Sequence, residues 1–140
     1  MNLYSTNTNL WLTGWLYSVQ TKQRPDWDQY FNQIAKAVAE RASCPRAKVG
    51  AVIVSNDNRI LSTGYNGALR GERACYTYGC VIVDAHCQRA IHAEINAVAY
   101  AARVGVPLAG SRLYIYSSRG DTTPCRECQK VLSATNIHWS

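Results

Sequence analysis

The chain has 140 residues, 47% of them hydrophobic and 17% charged, which fits one globular domain with a sizeable core. No apolar run approaches membrane-spanning length, and six Cys with no secretory leader argue for reduced thiols and metal, not a disulfide framework. Fifteen Lys and Arg against nine Asp and Glu give a net charge of +6, which suits an anionic ligand such as a nucleotide, a nucleic acid or phosphate, and equally a plain basic surface.

Residues 1–23 are rich in Asn, Thr and Ser, with Trp11 and Trp15 embedded and Thr13-Gly14 interrupting the apolar stretch. They read as an N-terminal extension of unknown role, ahead of a domain spanning residues 24–140. Asp26 is predicted to open a helix, with Gln29 completing a capping box. Trp27, Tyr30, Phe31, Ile34, Val38 and Ala42 recur at helical spacing and predict one buried stripe. Pro45 stops that helix. Val49 to Ser55 predicts a buried strand, Asn56-Asp57-Asn58 a turn, and Arg59 to Tyr65 the returning strand of a hairpin. Residues 66–88 carry three Gly and three Cys with little periodicity and read as a long functional loop.

A second helix is expected over about 90–104, with Ile91, Ile95, Val98 and Ala102 inward and Gly105 just past its end. A strand follows over 111–117, then a polar loop, a third helix from Cys125 to about Ala134, and the start of a last strand at Ile137-His138-Trp139. The order α-β-β-α-β-α-β predicts an α/β domain with helices packed on a sheet.

Chemistry concentrates in His92-Ala93-Glu94 and Pro124-Cys125-Arg126-Glu127-Cys128. Cys125 and Cys128 lie three apart and share a helix face. With His92 they make three zinc ligands, which leaves a fourth position open for catalysis. Glu94 is then the acid/base and not a ligand. Both runs fall at predicted helix starts, where free N–H groups and the helix dipole should lower thiol pKa values. Taken singly, each piece has a plainer reading: a structural zinc site using two other Cys, a helix-start histidine, a first-turn acid. Cys75, Cys80, His86 and Cys87, with Cys44 a further candidate, can form a second, structural zinc site, or they are small buried residues and free thiols.

His-x-Glu followed by Pro-Cys-x-x-Cys is the pattern of zinc nucleobase deaminases. Residues 27–137 resemble the deoxycytidylate (dCMP) deaminases of the zinc cytidine deaminase superfamily. The resemblance is carried by Ala42-Ser43-Cys44-Pro45-Arg46, Val49 to Val54, Thr63-Gly64-Tyr65-Asn66-Gly67, Cys75 through Cys80, Ile91 to Ala97, and Pro124-Cys125 to Cys128. Thr-Gly-Tyr-Asn-Gly with the spaced Cys75 and Cys80 points to the dCMP branch. The chain departs from the family in a longer loop over 117–123, in a missing proline after Gly67, and in ending where the family usually continues its last strand.

The resemblance implies a three-layer α-β-α fold with a mixed sheet and helices on both faces. It implies hydrolysis of dCMP to dUMP and ammonia in the cytoplasm, with Zn²⁺ held by His92, Cys125 and Cys128 and protons carried by Glu94. Asn66 and the Ala93 backbone are the expected substrate contacts. Activation by dCTP with Mg²⁺, inhibition by dTTP and a hexameric assembly are implied too, with Gly64, Tyr65, Asn66 and Gly67 as the expected effector turn. Arg46, Lys48, Arg70 and Arg73 are candidates for the phosphate, and Tyr65, Tyr114 and Tyr116 for stacking on a base. No membrane partner is expected and nucleic acid is not the favoured one. Deamination of another cytosine or adenine substrate is the alternative; so is a noncatalytic deaminase-fold binding protein, since late competence proteins of bacteria are similar in sequence.

Overall fold

The computed structural model describes residues 23–140. The expected N-terminal extension, with Trp11 and Trp15, lies outside the described residues apart from Gln23. In chain order the elements are α1 (Trp27–Ala39), β1 (Val49–Val54), β2 (Ile60–Tyr65), β3 (Gly67–Ala68), α2 (Cys75–Tyr78), β4 (Ile82–Val83), β5 (His86–Cys87), β6 (Ala90–Ile91), α3 (Ala93–Val104), β7 (Arg112–Ser117) and α4 (Arg126–Ala134).

Helix α1 starts at the expected capping box: the Gln29 N–H donates to the Asp26 carboxylate at 2.8 Å, and the Asp26 N–H donates back to the Gln29 side chain. Its inner face differs from the predicted stripe. Phe31, Ala35 and Ala39 are fully buried, whereas Trp27 and Tyr30 are 46% and 42% exposed. The cause lies across the interface: a Cβ at Gly50 of β1 would collide with the Ala35 carbonyl and the Ala39 nitrogen. The helix sits so close to the strand that only its alanines fit at the contact, and the large rings are rotated to the edge.

Strand β1 is central, antiparallel to β2 on one side and to β7 on the other. Alternation along the strands sorts the two faces. Val52 and Val54, with Tyr114 and Tyr116 beside them, pack on Phe31 and Ala35 of α1. Ala51, Ile53, Leu113 and Ile115 pack on Ala93, Ala97 and Ala101 of α3 and Leu132 of α4. The result is three layers, helix on sheet on helices. A parallel bridge between Arg112 and His138 makes the sheet mixed; the expected last strand is reduced to this bridge.

The stretch expected as loop holds the small elements α2 and β3 to β6. Strand β3 pairs with β6, so Ala90 and Ile91 leave the predicted second helix, which begins at Ala93 instead. Strands β4 and β5 form a hairpin whose two turn residues, Asp84 and Ala85, have φ of 48° and 66°. Positive φ at both central positions matches the right-handed twist of the strands.

Gly64 of β2 repeats on the other face what Gly50 does for α1. A Cβ there would fall on the Ala93 carbonyl and the Ala97 nitrogen of α3. Overpacking of this kind typically costs ~1–3 kcal/mol, and here rigid backbone must move. Gly64→Ala is expected to lower the thermal midpoint by several degrees and to displace the start of α3. A thermal melt of the variant that overlays wild type would refute this close-packing account.

Candidate active site

His92 is the N-cap of α3 and Cys125 the N-cap of α4, yet neither side chain caps its own helix. Both project ahead of the helix mouths, where they meet. His92 Nδ1 lies 3.4 Å from Cys125 Sγ and 3.3 Å from Cys128 Sγ. One ion about 2.3 Å from each sulfur and about 2.0–2.1 Å from the nitrogen, in tetrahedral geometry, puts N and S about 3.5 Å apart. The three donor atoms lie within 4.8 Å of one another, so they fit a zinc-sized cation with little movement.

Glu94 sits in the first turn of α3 and is 6% exposed. Its charge bears on the neighbouring sulfur. Burial first, then Glu94, then Cys125, push the Cys128 thiol well above its ordinary range. A divalent ion held by His92, Cys125 and Cys128 would reverse the balance by stabilising the thiolates beside Glu94.

His92, Glu94 and Cys125 line a cleft whose lining also includes Val49 and Asn66. The side chain of Asn66 is committed to the fold first: the Val49 N–H donates to its Oδ1 at 2.8 Å, and its Nδ2 donates to the Ala47 carbonyl at 2.9 Å. One amide proton of this cleft-lining residue is left without a partner among the described residues. Ala93 is buried at the first position of α3 and also lines the cleft, with its N–H among the unpaired first-turn donors. The β4–β5 turn reaches over the same space through Ala85 and His86.

The other expected contacts divide. Gly64 and Gly67 are buried against α3 and against Ser43, so their lack of a side chain admits protein and not a ligand. Tyr65 alone of that turn's side chains is well exposed, at 40%, and its carbonyl accepts from Asn96 of α3 at 2.7 Å. Lys48 is paired with Glu40 at 2.9 Å. The Arg73 guanidinium lies over the Tyr78 ring, and neither it nor Arg70 lines the cleft. Tyr114 donates to Asp28 of α1 at 2.7 Å, and Tyr116 packs on the same face, so both are packing residues. Arg46 does line the cleft.

The family model described as the cytidine and deoxycytidylate deaminase zinc-binding region matches residues 25–139. The chain belongs to this deaminase family. It is 40% identical over 125 residues to the deoxycytidylate deaminase of Mycobacterium phage D29, a match covering 81% of this chain and 91% of the phage protein. It is 39% identical over 115 residues to ComE operon protein 2 of Bacillus subtilis, covering 82% of this chain but 58% of that protein. It covers 36% of the Schizosaccharomyces pombe deoxycytidylate deaminase. Among solved structures, the dCMP deaminase of cyanophage S-TIM5 in complex with dCMP and dUMP superposes with a TM-score of 0.66 at 27% identity, over 84% of this chain and 82% of that one. The cytidine deaminase of Mycobacterium tuberculosis, at 23% identity and a TM-score of 0.54 over 78% of this chain and 80% of that one, shares the fold.

The chain carries a second group of metal-type donors. The sulfurs of Cys75, Cys80 and Cys87 lie within 4.8 Å of one another, with Cys75 and Cys87 at 3.5 Å. Cys44 stands near enough to Cys80 to act on its charge. Burial and the neighbouring Cys87 push the Cys75 thiol up to about 12. Burial also opposes ionisation of Cys87, but backbone N–H groups of Arg89, Ala90 and Val81, together with Cys75, hold it below its ordinary value. His86 does not join this group; its ring stacks on His92, centroids 6.1 Å apart. The cleft lining also includes Arg119, from a loop whose extra length the sequence shows but whose course it does not, and His86, which proximity in sequence places with the cysteines.

Proposed function

We propose that this protein hydrolyses dCMP to dUMP and ammonia, with zinc bound by His92, Cys125 and Cys128 and with Glu94 as proton carrier. The observation that carries the reading is the meeting of one imidazole nitrogen and two sulfurs beside a buried carboxylate, at the floor of an open cleft. The deoxycytidylate deaminases among its relatives and the dCMP and dUMP bound by the cyanophage enzyme support the choice of substrate.

When bound, the ion contributes Lewis acidity that makes water a nucleophile near neutral pH. Glu94 accepts one proton as water adds to C4 of cytosine and delivers it to N3; it then takes the proton of the new C4 hydroxyl and gives it to the departing amine as the C4 carbonyl forms. Its burial keeps competing water away from that exchange. The Ala93 N–H at the mouth of α3 is aligned by the helix to donate to the base. The spare Asn66 amide proton suits a sugar hydroxyl, and its two backbone bonds hold it still.

Cys75, Cys80 and Cys87, with Cys44 as fourth donor, are proposed as a structural zinc site. Four thiols close the coordination sphere, unlike the open set at His92. Regulation is the finer part of the proposal: dCTP with Mg²⁺ activates and dTTP inhibits a hexamer in the cytoplasm. Tyr65 supports this role by its exposure and by the bond from Asn96, two residues past Glu94. Tyr76, Tyr78, Ile82 and Val83 expose apolar side chains of the kind that assembly buries. Six free cysteines suit a reducing compartment.

Glu94→Gln is expected to keep zinc and nucleotide binding and to lose turnover by at least ~10²–10⁴-fold, the usual worth of general acid–base catalysis. A variant retaining a tenth of the wild-type kcat in a dUMP-formation assay would rule Glu94 out as the carrier. Metal analysis of fully loaded protein is expected to find two zinc ions per chain, one lost in His92→Ala and the other in Cys80→Ala; one zinc in wild type removes the structural site. Saturation curves for dCMP should shift about 5–150-fold with dCTP and Mg²⁺, and less in Tyr65→Ala. Hyperbolic curves indifferent to dCTP and dTTP remove the regulation and leave the deaminase.

A further inference from the structure

We propose that His86 is a positioning residue for the metal centre: its ring, anchored through Cys87 to the Cys75, Cys80 and Cys87 group, fixes the plane in which the His92 imidazole presents Nδ1 to Cys125 and Cys128. This rests on the zinc reading of the His92 set.

A histidine that ligates a metal usually donates its second ring N–H to a carboxylate or a carbonyl, and that bond sets the plane of the ring. His92 has no such acceptor among the described residues; its side-chain contacts of this kind are those of Nδ1 with the two sulfurs. The ring torsion of a histidine is broad, so the plane needs another support. The His86 ring supplies it. It lies against His92 with centroids 6.1 Å apart and planes 28° apart, within the range at which aromatic rings attract.

The aim of His86 comes from its backbone. The side chain is exposed and makes no hydrogen bond among the described residues. His86 and Cys87 are the two residues of β5, and neighbouring strand residues point to opposite faces. The Cys87 sulfur goes to Cys75, 3.5 Å away, and to Cys80; the His86 ring goes to His92. Backbone N–H groups of Arg89 and Ala90 bear on the Cys87 sulfur, so the chain folds about that atom on its way into β6. Strand β6 pairs with Gly67 and Ala68 and runs directly into His92. On the other side, the Gln88 N–H closes the hairpin on the Val81 carbonyl at 2.8 Å, and Arg46 Nη1 donates to the Ala85 carbonyl of its turn at 3.4 Å. Two-residue strands have little stability of their own. Thiols gathered on one ion hold this hairpin down, and one dipeptide then links the two groups of metal-type donors.

The test is zinc affinity, titrated against a chelating indicator in wild type, His86→Ala, His86→Phe, Cys80→Ala and the double variant His86→Ala with Cys80→Ala. The binding step followed is the one that His92→Ala abolishes. His86→Ala should weaken it roughly 10–100-fold, the usual worth of a residue that supports a metal ligand. His86→Phe keeps a ring without its nitrogens and should recover most of that loss. Cys80→Ala should weaken the same step although Cys80 is not one of its ligands, and should add little in the His86→Ala background. In cobalt(II)-substituted protein, the visible absorption that His92→Ala removes should shift in His86→Ala and return in His86→Phe. Wild-type affinity in His86→Ala, equal losses in His86→Ala and His86→Phe, or losses from His86→Ala and Cys80→Ala that simply add would each overturn the proposal. So would a raised KM for dCMP with zinc affinity unchanged, which makes His86 a substrate contact. If His92→Ala abolishes no step, the zinc reading falls and takes the proposal with it; a wild type that holds both ions but turns over no dCMP overturns the choice of substrate alone.

Discussion

The contact between Gly64 and the first turn of α3 sets the geometry on which the site depends. The Ala93 carbonyl and Ala97 nitrogen lie where a side chain of β2 would otherwise stand. Ser62, one pleat earlier on the same face, donates to the Ala97 carbonyl at 2.6 Å. Strand and helix are thus locked both in distance and in register. Because the locked turn begins at Ala93, the residues on either side of it, His92 and Glu94, are fixed against the sheet as well. Gly50 makes the matching approach to α1 on the opposite face, so the sheet is held between two backbone-to-backbone contacts.

From that constraint the rest of the cleft follows along the strands. Strand β1 pairs with β2 and β7, which brings the entry to β1, the end of β2 and the end of β7 to one edge of the sheet. Asn66 stitches the first two together through Val49 and Ala47. Lys48 and Ser118 stitch the first to the third. Helix α4 starts a few residues beyond Ser118 and delivers Cys125 and Cys128 to His92. Strand ends and helix mouths converge there, so free backbone donors, metal-type ligands and the cationic rim share one space.

Electrostatics inside the cleft run from anionic at the floor to cationic at the mouth. Burial and the neighbouring Glu94 carboxylate disfavour the Cys128 thiolate, and a dication held there would stabilise it. Arg46 and Arg119 line the same cleft, and among the described residues neither is paired with a carboxylate. The Cys75, Cys80 and Cys87 group sits beside the cleft: Cys87 belongs to the short β4–β5 hairpin and lines the cleft together with Cys44.

The sequence by itself determined the local features. The capping box at Asp26 and Gln29, the hairpin turn at Asn56 to Asn58, and Gly105 at the end of α3 are decided by near neighbours, and such short-range chemistry is written in the order of residues. His92, Glu94, Cys125 and Cys128 were legible as a group because a metal demands few residue types at restricted spacings. Only the tertiary structure decided which face of α1 is buried, because that depends on Gly50, which lies beyond the helix. It decided that Gly64 and Gly67 admit protein backbone and side chain instead of a ligand, since a glycine records the need for space but not what fills it. It separated His86 from the cysteines beside it and sent its ring to His92, because a hairpin strand points successive side chains to opposite faces. And it brought Arg119 to the rim beside Arg46, 73 residues away in sequence, through a β7–β1 pairing whose register no local pattern encodes.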